Sequence, residues 1–264
     1  NGNRLLSEGS RACCFCHSAR TWQGSEGHCR TSRREVKGES VMWETLSAPW
    51  KLCLELSWQA YCSGTIPIGA VIVDATDKLI ASGRNRIFDD SAPQQQVSGS
   101  KLAHAEINAL LQIPPGDDNV GSYRLFTAVE PCPLCCGALY MSGIREVHFA
   151  ARDSHAGSTN MYGTTTYLKR KAMRVFGPVT ELEAVVLVLN IEYFMRQSGR
   201  HPTSVLMQHW QSDCPEAVEV AQDCFDNGSL QSAASKGLTA EAVFSGLHVA
   251  VSRLSRERVV NEGH

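Results

Sequence analysis

Apolar positions along the chain change their period several times, and each change marks an element. Trp50, Cys53, Leu54, Leu56 and Ala60 recur at helical spacing until Gly64, which predicts one amphipathic helix beginning near Ala48. The period then shortens. IGAVIVD (68–74) and KLIASGRN (78–85) are β-branched runs joined by the polar link Ala75-Thr76-Asp77, and together they predict a hairpin. A polar loop over 89–100 leads into LAHAEINALLQI, a helix over about 104–112 that Pro114, Pro115 and Gly116 end. RLFTAVE (124–130) reads as a strand, CPLCCGALYMSG (132–143) as a helix with Pro133 in its first turn, and REVHFAARD (145–153) as another strand.

Strands alternating with helices imply a mixed or largely parallel sheet covered on both faces, that is, a three-layer α/β/α domain. Beyond Asp153 a loop precedes YLKRKAMRVF (167–176), which reads as a basic helix, and TELEAVVLVLNIEYFMRQ (180–197), a long apolar one. The pattern divides the chain into three parts. Residues 1–41, rich in Ser, Gly and Arg with little apolar periodicity, are expected to be a disordered extension, with Met42 as the natural start. Residues 42–200 form the α/β domain, and 201–264 form an acidic helical extension with a helix over about 238–259.

Composition narrows the setting. A formal charge of -2 gives no general attraction for polyanions, so nucleic-acid binding would need a local patch. Neither an apolar run long enough for a membrane span nor a secretory h-region is visible, which leads to the expectation of a cytoplasmic protein without membrane contact. Eleven cysteines, an odd number that includes the adjacent pairs Cys13/Cys14 and Cys135/Cys136, do not suit a disulfide framework. Thiols or metal ligands suit them better.

Two short motifs carry the candidate chemistry, HAE at 104–106 and PCPLC at 131–135, and each opens a predicted helix. A thiolate in the first helical turn meets unpaired N–H groups and the positive end of the dipole, so Cys132 and Cys135 are placed to ionise and bind metal from one helix face. His104, arriving from a neighbouring helix start, completes a His/Cys/Cys set whose fourth tetrahedral position is left for water. Glu106 can enter the same site without being a ligand and handle protons. Blander readings stand beside this one. The Cys132/Cys135 pair alone suits a redox dithiol or half of a structural zinc site, and the group Cys13, Cys14, Cys16, His17, His28 and Cys29 matches no structural zinc spacing well. Cys136 reads as a packing thiol, His148 as a satisfied strand residue, and His155 as a loop residue within reach of a pocket. Lys169, Arg170, Lys171 and Arg174 form either a solvated face or an RNA contact.

H-x-E followed by P-C-x-x-C resembles the signature of the zinc-dependent cytidine deaminase superfamily. IPIGAVIVD, the asparagine in GRNR, LAHAEINAL, EPCPLCCGALYMSGI and VHFAARD make residues 45–155 most similar to the branch holding bacterial tRNA adenosine deaminase and the small nucleoside or guanine deaminases. The resemblance implies a cytidine deaminase-like fold, one zinc ion per chain on His104, Cys132 and Cys135, and Glu106 as the catalytic acid and base. It implies base contacts from Asn85 and the Ala105 backbone, with Ile68 beside the pocket, and a homodimer. The chain departs from the tRNA-acting members in the loop SHAGSTNMYG, the insertion DDSAPQQQVSGS and the long C-terminal segment. The expectation is therefore a hydrolytic deaminase of a small nucleobase or nucleoside, with a tRNA adenosine deaminase as the first alternative and a non-catalytic zinc-bearing binding module as the second.

Overall fold

The computed structural model of the chain describes residues 41–198 and 205–262. The extension expected to be disordered, with its cysteine and histidine group, lies outside the described residues apart from Val41. The described residues make up one compact unit.

Its centre is a mixed five-stranded sheet in the order β2-β1-β3-β4-β5. β1 (Gly69–Val73) pairs antiparallel with both β2 (Leu79–Arg84) and β3 (Arg124–Val129). β4 (Glu146–Ala151) lies parallel to β3, and β5 (Arg174–Phe176) parallel to β4. Alternation along β1 sends its side chains to two different cores. Val71 and Val73 join the core made with α2 (Ala48–Cys62) and α5 (Thr180–Ser198). Ala70 and Ile72 join the core made with α3 (Ala105–Leu110) and α4 (Pro133–Ser142). This is the three-layer α/β/α arrangement that the pattern predicts, and it explains why all of β1 is buried.

A glycine sets the height of α3 above the sheet. A Cβ on Gly83 would stand 2.6 Å from the Ala105 carbonyl oxygen and 2.7 Å from the Ala109 nitrogen, so only glycine lets the helix that carries Glu106 lie this close to β2.

The expected basic helix over 167–176 is not formed. The chain runs through turns to Arg170 and then enters β5, an exposed edge strand. Residues with good helix propensity are overruled there by pairing with β4: Arg174 lies opposite Glu146 with an ion pair of 2.6 Å, and Phe176 stacks on His148.

Among the described residues the C-terminal segment comprises the helices α6 (Val205–Asp213), α7 (Pro215–Asn227), α8 (Ser229–Ser235) and α9 (Ala240–Glu262). α1 (Val41–Thr45) and these helices share the core of α2 and α5. Trp58 Nε1 donates to the Leu238 carbonyl across 2.8 Å, and Tyr61 Oη and Gln231 Nε2 both donate to the buried carboxylate of Glu192.

Candidate functional site

His104 and Cys132 occupy equivalent local positions. Each is the N-cap residue of a helix that follows a loop, His104 for α3 and Cys132 for α4, with extended backbone that turns the side chain across the helix start. Pro133 at the first position of α4 fixes the turn that brings Cys135 onto the same face. The two helices lie on one side of the sheet. His104 Nδ1 stands 3.6 Å from Cys132 Sγ and 3.4 Å from Cys135 Sγ.

Those distances test the fit to a metal. Bonds of zinc length to one nitrogen and one sulfur, held at the tetrahedral angle, separate the two atoms by about 3.5 Å. The ligand atoms of the three residues lie within 4.8 Å of one another, and this is the one such group found among the described residues. One imidazole and two thiols are a suitable zinc donor set with a fourth position open. The hydrogen bond from Cys135 draws the Cys132 thiol down to about 4 against the effect of burial, with His104 assisting. The same bond, then burial and the Glu106 carboxylate, push Cys135 up. A divalent cation held by both sulfurs would displace the proton that Cys135 keeps. Contact with Cys132 raises His104.

Glu106 is 3 % exposed and lies one helical position beyond the buried Ala105. Its Oε1 accepts from Thr127 Oγ1 at 3.1 Å and its Oε2 from Cys135 Sγ at 3.3 Å. Burial holds its carboxyl above the usual range. Cys136 is fully buried, donates to the Pro131 carbonyl, and is pushed up to about 12 by burial, so it packs beside the trio without joining it. His148 is likewise structural, stacked between Phe126 and Phe176 with its Nε2 on Glu146. The cysteines among the described residues are free thiols.

A cavity of about 310 Å³ opens onto His104, Cys132 and Glu106. Asn85 and Ile68 line it, as does His155, while Ala105 is not among its lining side chains. Asn85 is held by its oxygen: Oδ1 accepts from Thr65 Oγ1 at 2.7 Å and from the Ile87 N–H at 3.1 Å, which leaves Nδ2 for the cavity. The loop after β4 reaches the cavity through Asp153 and Ala156, and Glu130 pins that loop by accepting from Thr159 Oγ1 and from the Thr159 and Asp153 N–H groups. Gly157 permits this, since a Cβ there would stand 2.5 Å from the Glu130 carboxylate.

The remaining wall was not anticipated from the sequence. Leu187, Asn190 and Phe194 of α5 and Leu206 and Trp210 of α6 close the cavity. One signal was available, a single amide interrupting the apolar run VVLVLNI at Asn190.

Residues 44–151 match the cytidine and deoxycytidylate deaminase zinc-binding region. A tRNA-specific adenosine deaminase of Haemophilus influenzae is 36% identical over 113 residues, 41% of this chain and 59% of that protein. The matched part thus spans less than two thirds of that relative's length. A probable cytosine deaminase of Schizosaccharomyces pombe is 28% identical over 148 residues, 50% of this chain and 83% of that protein. The solved guanine deaminase from Nitrosomonas europaea superposes with a TM-score of 0.45 at 23% identity, covering 63% of this chain and 98% of its own. No helix among the described residues is long and apolar enough to cross a membrane. With both motifs meeting at one zinc-competent trio, the segment 44–151 belongs to the cytidine deaminase-like superfamily.

Proposed function

We infer that this protein is a hydrolytic deaminase of an uncharged nucleobase or nucleoside. One observation carries the reading: the cavity that holds His104, Cys132 and Glu106 is also lined by the acids Glu130 and Asp153 and, among the described residues, by no lysine or arginine. A phosphate would meet like charge there with no lysine or arginine to offset it, whereas Ile66, Ile68 and Val129 suit a neutral flat ring.

In this reading His104, Cys132 and Cys135 hold one zinc ion, which when bound supplies the acidity that makes water a nucleophile near neutral pH. Glu106 carries protons. It takes one from the attacking water, delivers it to a ring nitrogen, and passes a second to the departing amine, so that a C–O bond forms, the C–N bond breaks and ammonia leaves. Asn85 Nδ2 donates to a ring acceptor and orients the base, with the Ala105 N–H at the start of α3 as a second donor and Ile68 against the ring.

Ammonia release from adenine, guanine, cytosine and their nucleosides tests this. Zinc-loaded wild type is expected to turn over at least one of them, and Glu106→Gln to lower that rate by about 10²–10⁴-fold with zinc retained. A zinc-loaded wild type inert on all of them refutes it.

A second reading, adenosine deamination in tRNA, draws on the similarity to the H. influenzae protein and on the basic stretch 169–174, where Arg170 and Lys171 lie over the rings of Tyr167 and Tyr140. Salt-sensitive inosine formation in an anticodon stem-loop, weakened by Lys169→Glu, would support it.

A further inference from the structure

We propose that Asn190 sets the substrate class of this site and that the class is the free nucleobase, an inference that rests on the deaminase reading above. Asn190 sits in α5, outside the family-matched segment, and is only 4 % exposed, yet it lines the cavity. Its Nδ2 donates to the Val186 carbonyl, one turn back, at 3.0 Å. A carbonyl accepts and never donates, so the amide cannot be turned over without setting two oxygens against each other. Oδ1 therefore points away from Val186, has no partner among the described residues, and meets the cavity.

Asn85 is the mirror case. The Ile87 N–H can only donate, so Oδ1 of Asn85 is fixed on it and Nδ2 is the atom left over. The two amides thus offer the cavity one fixed donor and one fixed acceptor, on elements that are far apart in the chain. A ligand N–H placed on Asn190 Oδ1 makes a hydrogen bond there that a ligand acceptor or C–H at that position would forfeit.

What surrounds Asn190 selects the kind of N–H. Leu187 and Phe194 stand about one turn before and after it on α5, and Leu206 and Trp210 come from α6. A ribose placed on this wall would bring several hydroxyls to a surface with one acceptor and leave the others unsatisfied. A free base instead brings a flat ring to Phe194 and Trp210 and an unsubstituted ring N–H to Asn190 Oδ1. In a nucleoside that N–H is replaced by the glycosidic bond.

The test compares full-length zinc-loaded wild type, Asn190→Ser and Asn190→Leu on cytosine, guanine, adenine and their nucleosides, with circular dichroism to confirm folding. It reads kcat/KM by ammonia release and, independently, base binding to each protein in a Glu106→Gln background by equilibrium dialysis. Wild type should favour a free base. Asn190→Leu should lose about 10-fold or more for that base in both readouts, chiefly through KM, and Asn190→Ser, whose hydroxyl can donate to the Val186 carbonyl and still accept, should lose less. Preference for a nucleoside, or turnover indifferent to Asn190→Leu, overturns the proposal and leaves the deaminase reading standing. Absence of ammonia release from every substrate overturns that reading and the proposal with it, and misfolding of Asn190→Leu shifts the decision to the wild-type preference and to Asn190→Ser.

Discussion

Thr127 Oγ1 donates to Glu106 Oε1 across 3.1 Å, a bond from the middle strand of the sheet to the first turn of α3. Thr127 is fully buried, so no water replaces that donor if the hydroxyl is removed. Thr127→Val keeps the shape and deletes the bond, which frees the carboxyl to leave its working position. The expected result is a kcat lower by about 10-fold with zinc content unchanged, and recovery in Thr127→Ser. Steady-state ammonia release with zinc analysis on the same samples checks it.

The ligand trio makes a separate prediction about stability. His104 and Cys132 begin two different helices, so an ion bridging them joins α3 to α4. Wild type should carry one zinc per chain. Cys132→Ala should reduce this to background, and chelation should lower the Tm of wild type but not of that variant, because binding to the folded state alone adds stability. Colorimetric zinc analysis and thermal melts are the measurements.

These features were legible in the sequence because they are local. A histidine or cysteine at a helix start, a proline just inside it and a glutamate two positions on define their own geometry whatever the rest of the chain does. Asn190, Phe194 and Trp210 were not, since only tertiary packing carries α5 and α6 over a cavity whose other wall is formed from residues 66 to 156. The segment 167–176 was misread for a related reason: its Lys, Arg, Leu, Ala and Met suit a helix, but β4 presents an open edge with Glu146 and His148 placed to receive Arg174 and Phe176.

Gly83 tests how closely α3 must lie on the sheet. Gly83→Ala would press a methyl group against the backbone of Ala105 and Ala109, which cannot move without shifting His104 and Glu106. Overpacking of this kind costs about 1–3 kcal/mol. Urea denaturation should show that loss, and residual activity should fall further than stability does.

Glu146 gives a pH dependence. Burial alone would raise its carboxyl, but hydrogen bonds from His148 and Arg174 outweigh it and hold the group below the ordinary glutamate value. A depressed carboxyl stabilises the fold above its unfolded-state value and loses that contribution as pH falls through the folded one. With Arg174 side chain 64% exposed, the contribution is about 1 kcal/mol or less. Glu146→Gln should therefore be less stable than wild type at pH 7, and the two urea midpoints should converge below the carboxylate range. A difference that persists or grows in acid contradicts this assignment.

Phe244 tests whether the C-terminal helices melt with the deaminase segment. Its side chain is fully buried in α9, its ring stacks on Trp43 at 6.5 Å, and it shares one core with Leu54 of α2 and Val186 of α5. Phe244→Ala removes a large buried ring that neighbouring helices cannot replace, at a cost of about 3–5 kcal/mol. If α9 and the sheet belong to one cooperative unit, the thermal transition followed by circular dichroism and the temperature at which ammonia release is lost should fall together by the same amount. A tail that folds on its own would lose helicity early while the activity midpoint stayed at its wild-type temperature.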